Sequence, residues 1–172
     1  MPLVPKKNAM NEIEYKPTKI KKYELEIWES GNCKSLASIK LIDGNVVWNY
    51  SGCINIADYV KINRNDGITE GLCKYINAIR KIIEGFKLAE DYVISSNDIS
   101  LEPEKIWIDS KTQIVKLLPG HEAGDLISRI CNLISTLGSK DLAKKISDRN
   151  KESAWTYKEL LCFLSSYELE LR

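Results

Sequence analysis

The longest patterned stretch lies in the middle of the chain. From 68 to 86, apolar side chains fall at Ile68, Leu72, Tyr75, Ile76, Ile79, Ile82, Ile83 and Phe86, and Glu70, Lys74, Asn77, Arg80 and Lys81 lie between them. Spacings of three and four predict an amphipathic helix with one buried face. Each aliphatic side chain buried from that face contributes about 1.5–3 kcal/mol, so this helix is the expected spine of the core.

Upstream the period shortens to two. Tyr23, Leu25 and Ile27 alternate with Glu24, Glu26 and Trp28, which predicts a half-buried strand. Ser30-Gly31-Asn32 supplies a turn, and a second strand runs through Ala37, Ile39 and Leu41. Asp43-Gly44-Asn45 is a tight-hairpin signal leading to a third strand with Val46, Trp48 and Tyr50 on one face. Such a three-stranded meander needs a cover, and the helix over 68–86 is expected to lie beneath it. Residues 1–18, with Pro2, Pro5, Pro17 and several lysines, read as a flexible tail.

Downstream, a turn-rich stretch at 63–67 precedes the long helix, and an irregular loop at 91–104 follows it. Ile106-Trp107-Ile108 and Ile114-Val115-Lys116-Leu117 flank Asp109-Ser110-Lys111-Thr112 as a second hairpin, expected on the other side of that helix. Asp125 then caps a helix stopped by Gly138, a short helix is expected over 142–146, and Thr156 with Glu159 forms a capping box for the last helix. The predicted class is α+β, a single domain over 19–172 with a β-rich part at 19–52 and a helical part at 53–172.

Composition narrows the function classes. The chain has 172 residues, 44% hydrophobic and 28% charged, the balance of an ordinary globular domain. Lys and Arg total 25 against 24 Asp and Glu, a net charge of +1, so the electrostatic footprint of a nucleic-acid binder is missing. Lys19-Ile20-Lys21-Lys22 and Lys144-Lys145 have acidic neighbours and read as solvated faces. No apolar run is long enough to span a membrane and no signal-peptide core is evident, so no membrane insertion and a cytoplasmic location are expected. Five widely spaced cysteines and the single His121 offer no disulfide framework or zinc site, and buried free thiols are the expectation.

Catalytic motifs are missing as well. There is no glycine-rich phosphate loop, no His-Glu-x-x-His and no Gly-x-Ser-x-Gly, and no metal or cofactor is expected. Trp28, Trp48, Trp107 and Trp155 have no basic interleaving along the sequence that points to base stacking.

One arrangement carries more information. Val46-Val47-Trp48-Asn49-Tyr50-Ser51-Gly52 followed by Ile56-Ala57-Asp58-Tyr59-Val60 resembles the fifth strand, hinge and first C-lobe helix of a protein kinase. Leu101-Glu102-Pro103-Glu104-Lys105-Ile106-Trp107-Ile108-Asp109 resembles a kinase catalytic loop and its strand, and Val115-Lys116-Leu117-Leu118-Pro119-Gly120 the strand before the metal-binding motif. Counted from Pro103, Ser100 stands at the catalytic aspartate, Glu102 at the loop lysine and Lys105 at the metal-binding asparagine, and no Asp precedes Pro119-Gly120. A serine cannot accept the substrate proton, and a lysine opposes the magnesium it would have to hold. Lys40 faintly matches the ATP lysine, but no helix fits between it and Asp43 to supply its glutamate partner.

Over about 23–164 the chain is similar to the degenerate kinase-like domain that precedes forkhead-associated modules in Gram-positive bacteria. It is more distantly similar to the pseudokinase part of the type VII secretion membrane subunit. That resemblance implies a truncated kinase fold without catalysis, working as a protein-interaction or scaffold module, possible settings being envelope or secretion assembly. Two other readings stay open: an unorthodox nucleotide-binding sensor or enzyme using the same cleft, and a generic α+β interaction domain. The partner is expected to be a protein. The candidate partner-binding residues are Asp98, Glu102 and Glu104 in the irregular loop and His121 and Glu122 in the turn beside it.

Overall fold

In a computed structural model, residues 6–7, 10–17, 19–64 and 67–172 are described. The architecture is α+β, as the patterning predicts, with two small antiparallel sheets and six α-helices among the described residues. Strands β1 (Lys6–Lys7), β2 (Glu12–Tyr15), β3 (Lys40–Ile42) and β4 (Asn45–Asn49) form one sheet in the order β1-β2-β4-β3. The Asp43-Gly44 turn joins β3 to β4 with both residues at positive φ, 51° and 77°, which is the geometry a two-residue hairpin of this kind requires.

Two expectations for the N-terminal part are corrected. The stretch read as an alternating strand is helix α1 (Lys22–Ser30), closed by Gly31 at φ 67°. Its buried side chains are Glu24 and Trp28, four residues apart and therefore on one helical face. Residues 12–15, inside the expected tail, form β2 instead, with Ile13 and Tyr15 buried; Ile13 pairs with Trp48 and Tyr15 with Val46. The rest of the tail at 1–5, 8–9 and 18 lies outside the described residues. So do residues 65 and 66 of the expected turn before the long helix.

The second sheet joins β5 (Cys53–Asn55), β6 (Ile106–Asp109) and β7 (Val115–Leu117) in that order. Its central strand is buried on both faces, with Ile106, Trp107 and Ile108 all inaccessible. The chain after α1 covers its far edge: Ala37 donates to the Leu117 carbonyl at 2.8 Å, and Leu117 donates to Ser35 at 2.9 Å.

Around these lie α2 (Ile56–Asn63), α3 (Ile68–Asp91), α4 (Leu126–Thr136), α5 (Lys140–Glu152) and α6 (Tyr157–Leu171). The α3 helix buries Tyr75, Ile76, Ile79, Ile82, Ile83 and Phe86, but not beneath the first sheet as expected. Its main partners are α6, α2 and β7, so it is the spine of the helical part and packs against the second hairpin. Gly85 sets that approach, since a Cβ there would come within 2.9 Å of Val115 and 3.2 Å of Leu117. Asp125 accepts from Ser128 to cap α4, and Thr156 and Glu159 form the capping box of α6. The segment expected as a short helix over 142–146 is the thirteen-residue α5. No helix among the described residues is long and apolar enough to cross a membrane.

Candidate functional site

The irregular segment between α3 and β6 is built from two short 3-10 turns, Ser96–Asp98 and Pro103–Lys105. The turn after β7 is laid against it: Ser100 donates to Leu118 at 3.0 Å, Gly120 to Asp98 at 3.1 Å, and Glu122 to Asn97 at 3.0 Å, all through backbone. Close approach is possible because residue 120 is glycine; a Cβ there would stand 2.8 Å from that of Ser100. The two candidate loops are therefore adjacent.

Within that surface the five candidate residues divide. Asp98 is buried and accepts from Lys21 at 2.7 Å, while His121 lies 3.4 Å away. Burial pushes the Asp98 carboxyl up, but hydrogen bonds to Lys21, Glu24 and His121 outweigh it and hold the group below its ordinary value. Lys21 also reaches the buried Glu24 at 3.2 Å, and the bonds to Asp98 and Glu24 lift its ammonium above the usual lysine range. Helix α1 is thereby tied to the irregular segment.

Glu122 faces inward too. One carboxylate oxygen accepts from Ser100 Oγ at 3.0 Å and from the Leu101 amide at 2.7 Å, and the other meets the buried Arg129 at 3.1 Å. Arg129 spends its remaining donors on the carbonyls of Ser96 and Ile99. Asp98 and Glu122 thus hold the loops together. Glu104 and the His121 ring face solvent, with the His121 side chain 56% exposed, and Glu102 lies between these extremes.

Aromatic side chains meet between the two sheets. Trp107 stacks on Tyr50 with ring centroids 4.6 Å apart and meets Trp48 edge-on at 5.8 Å. Lys105 is buried, pairs with Glu102 at 2.7 Å, and lies 4.6 Å from the centroid of the Tyr15 ring. The Tyr15 hydroxyl in turn donates to the Pro119 carbonyl at 2.6 Å. Burial, with the Glu102 charge added, raises the Tyr15 phenol well above its ordinary value.

A shallow groove of about 420 Å³ runs between the loop and α4, lined by Leu101, Pro103, Leu133, Asn132, Glu102 and Arg129. Sequence reasoning missed Lys21, Glu24 and Arg129, each of which completes a bond to a residue far along the chain. A buried cation beside an acidic loop leaves no local sequence pattern. No group of His, Cys, Asp or Glu among the described residues has the geometry to hold a metal ion.

No family model matches this chain, and neither does any curated protein or solved structure.

Proposed function

We propose that the chain is a non-catalytic, kinase-like module that docks another protein. The observation that carries this reading is the state of Lys105. At the position of a kinase's metal-binding asparagine it is a buried cation, neutralised by Glu102 and seated on the Tyr15 ring. A magnesium ion there would meet like charge, and no step of phosphoryl transfer has a proton acceptor at Ser100, whose hydroxyl donates to Glu122. Trp107 packs on Tyr50 and Trp48 between the two sheets.

The order of elements supports the kinase likeness in one respect beyond the motifs. Ahead of the β3–β4 hairpin stand β2 and α1, a strand followed by a helix with a buried glutamate. Kinases pair a strand lysine with a helix glutamate in that region. Here the lysine bonded to Glu24 is Lys21, just outside α1, and it joins Glu24 to Asp98.

The docking face proposed is the outer side of the joined loops, Glu104 and His121, with the groove at Leu101 and Leu133 beside them. A melting-temperature titration with ATP and magnesium tests the reading. No magnesium-dependent rise is expected at millimolar nucleotide, because only a bound ligand stabilises by mass action. A clear rise would replace the docking reading by a nucleotide sensor.

A further inference from the structure

Side chains from the start of α1 and from the turn after β7 meet on one buried carboxylate. One oxygen of Asp98, a residue 8% exposed, takes the Lys21 ammonium at 2.7 Å, and the other lies 3.4 Å from His121 Nδ1. Glu24, 1% exposed, shares Lys21 at 3.2 Å and accepts from the Tyr23 hydroxyl at 3.3 Å. Two buried carboxylates therefore face one ammonium. The other polar groups around the turn are engaged elsewhere. Glu122 turns to Arg129, Glu102 pairs with Lys105, Asp125 caps α4, and the Tyr15 hydroxyl donates to Pro119. Glu104 stands on the outer face. Among the described residues, the imidazole of His121, the chain's one histidine, is placed to supply a second positive charge.

A carboxylate taken out of water is costly unless a cation or a proton matches it. Histidine changes charge close to neutral pH, so here the second cation arrives with a proton. Hydrogen bonds hold the Asp98 carboxyl below its ordinary value, and it stays ionised while the imidazole titrates. A protonated ring donates from both nitrogens, which turns the 3.4 Å contact into an ion pair whichever tautomer the neutral ring holds. The backbone of the turn is already laid on the irregular segment through Gly120 and Glu122, so the pair adds to an existing joint.

We propose that His121 and Asp98 form a proton-operated latch between the turn after β7 and the irregular segment, closed when the imidazole is charged and open when it is neutral. A basic group favoured in its charged form stabilises the fold below the usual histidine range, about pH 6.5, and ceases to as the pH rises through the range in which the folded chain releases the proton. The window runs from about pH 6 to about pH 8. The latch does not depend on the docking reading. If that reading holds, His121 is part of the face offered to the partner, and docking changes with pH over the same window.

NMR titration of the full chain follows this one imidazole without overlap from another histidine. Asp98→Asn removes the attracting charge and should lower its titration midpoint by about half a pH unit; Lys21→Met removes the competing cation and should raise it by about as much. The second variant alters a side chain that is half exposed, so it keeps the test open if Asp98→Asn does not fold. The melting temperature of wild type relative to His121→Gln should also gain about 2 °C between pH 8 and pH 6. A midpoint unmoved in Lys21→Met, with a melting difference flat across that range, overturns the latch; the cluster then balances by a proton held between Asp98 and Glu24. Midpoints that move the same way in both variants overturn it too, because the two charges act in opposite senses. If the latch behaves as expected while a cellular partner is recovered equally at pH 6 and pH 8, the latch stands and His121 is not part of the docking face. If the midpoint is unmoved while Glu104→Lys still loses the partner, the latch falls and the docking reading stands.

Discussion

Arg129 and Glu122 face each other across the joint between α4 and the turn after β7, with guanidinium and carboxylate 3.1 Å apart. Each is also bonded to the irregular segment, Arg129 through the Ser96 and Ile99 carbonyls and Glu122 through Ser100 and the Leu101 amide. Removing one partner of a buried pair leaves the other charge unmatched. Arg129→Ala should therefore cost about 3 kcal/mol in denaturant unfolding. Glu122→Gln keeps an acceptor for Leu101 but leaves the buried Arg129 guanidinium without its counter-charge, so it should cost a similar amount, about 3 kcal/mol. A loss in Glu122→Gln well below that in Arg129→Ala would mean that the amide bond to Leu101, not the ion pair, holds the loops.

Gly85 tests how α3 meets the second sheet. Its φ is ordinary, so conformational freedom is not why glycine stands there; the space is. Gly85→Ala brings a methyl against Val115 and Leu117, and overpacking of this kind costs about 1–3 kcal/mol despite the higher helix propensity of alanine. Gly85→Ala with Val115→Ala should recover part of the loss. A single variant as stable as wild type would show that the hairpin stands further from α3.

Three tyrosines make stability fall at high pH. Burial raises the phenols of Tyr15, Tyr75 and Tyr157 above their ordinary value of 10.0, helped at Tyr15 by the charge of Glu102 and at Tyr157 by its bond to Glu90. Below about pH 10 folded and unfolded chains both hold these protons, and the linkage is silent. Above it the unfolded chain releases protons that the folded chain keeps, so stability drops as pH rises. Ultraviolet titration of the native chain should find these three phenols titrating last. Tyr15→Phe should lose about 1 kcal/mol at neutral pH, through the bond to Pro119, and show a shallower alkaline decline. An unchanged alkaline slope would remove Tyr15 from this account.

Parts of this arrangement were legible along the chain. The Asp43-Gly44 turn, the three-and-four spacing of α3, the Asp125 cap and the Thr156–Glu159 box are local signals, and each marks its element. The second hairpin was legible for the same reason, from two apolar runs around a turn. Helix α1 was not. Over so few residues Tyr23, Leu25 and Ile27 fit a period of two, while the helix buries Glu24 and Trp28 instead. A buried glutamate becomes reasonable only once Lys21 and Asp98 are beside it, and Asp98 is 77 positions from Lys21. In the same way β2 escapes notice among prolines and lysines, because its order comes from pairing with β4 more than thirty residues on. The inward turn of Asp98 and Glu122 was not legible either, because it is set by Lys21 and Arg129.

That inward turn changes how the loop surface has to be probed. Asp98, Glu102 and Glu104 are close in sequence, but reversing all three charges would mix two effects. Asp98 is buried and bonded to Lys21, so Asp98→Asn weakens a charge-assisted bond and should cost about 2 kcal/mol. For a chain of this length that lowers the melting temperature by about 4–8 °C. Glu104 is exposed, and Glu104→Lys should change stability by no more than about 0.5 kcal/mol, within about 2 °C. His121→Glu belongs with Glu104 in exposure, although the new carboxylate would stand near Asp98 and lose the bond that the imidazole makes. The informative variant is therefore Glu104→Lys, compared with Asp98→Asn in both melting temperature and recovery of a co-purifying protein. If the outer loop face docks the partner, Glu104→Lys loses the partner and keeps the melting temperature, whereas Asp98→Asn loses melting temperature first. If Glu104→Lys retains the partner fully and Asp98→Asn loses it only in proportion to unfolding, this loop does not dock the partner.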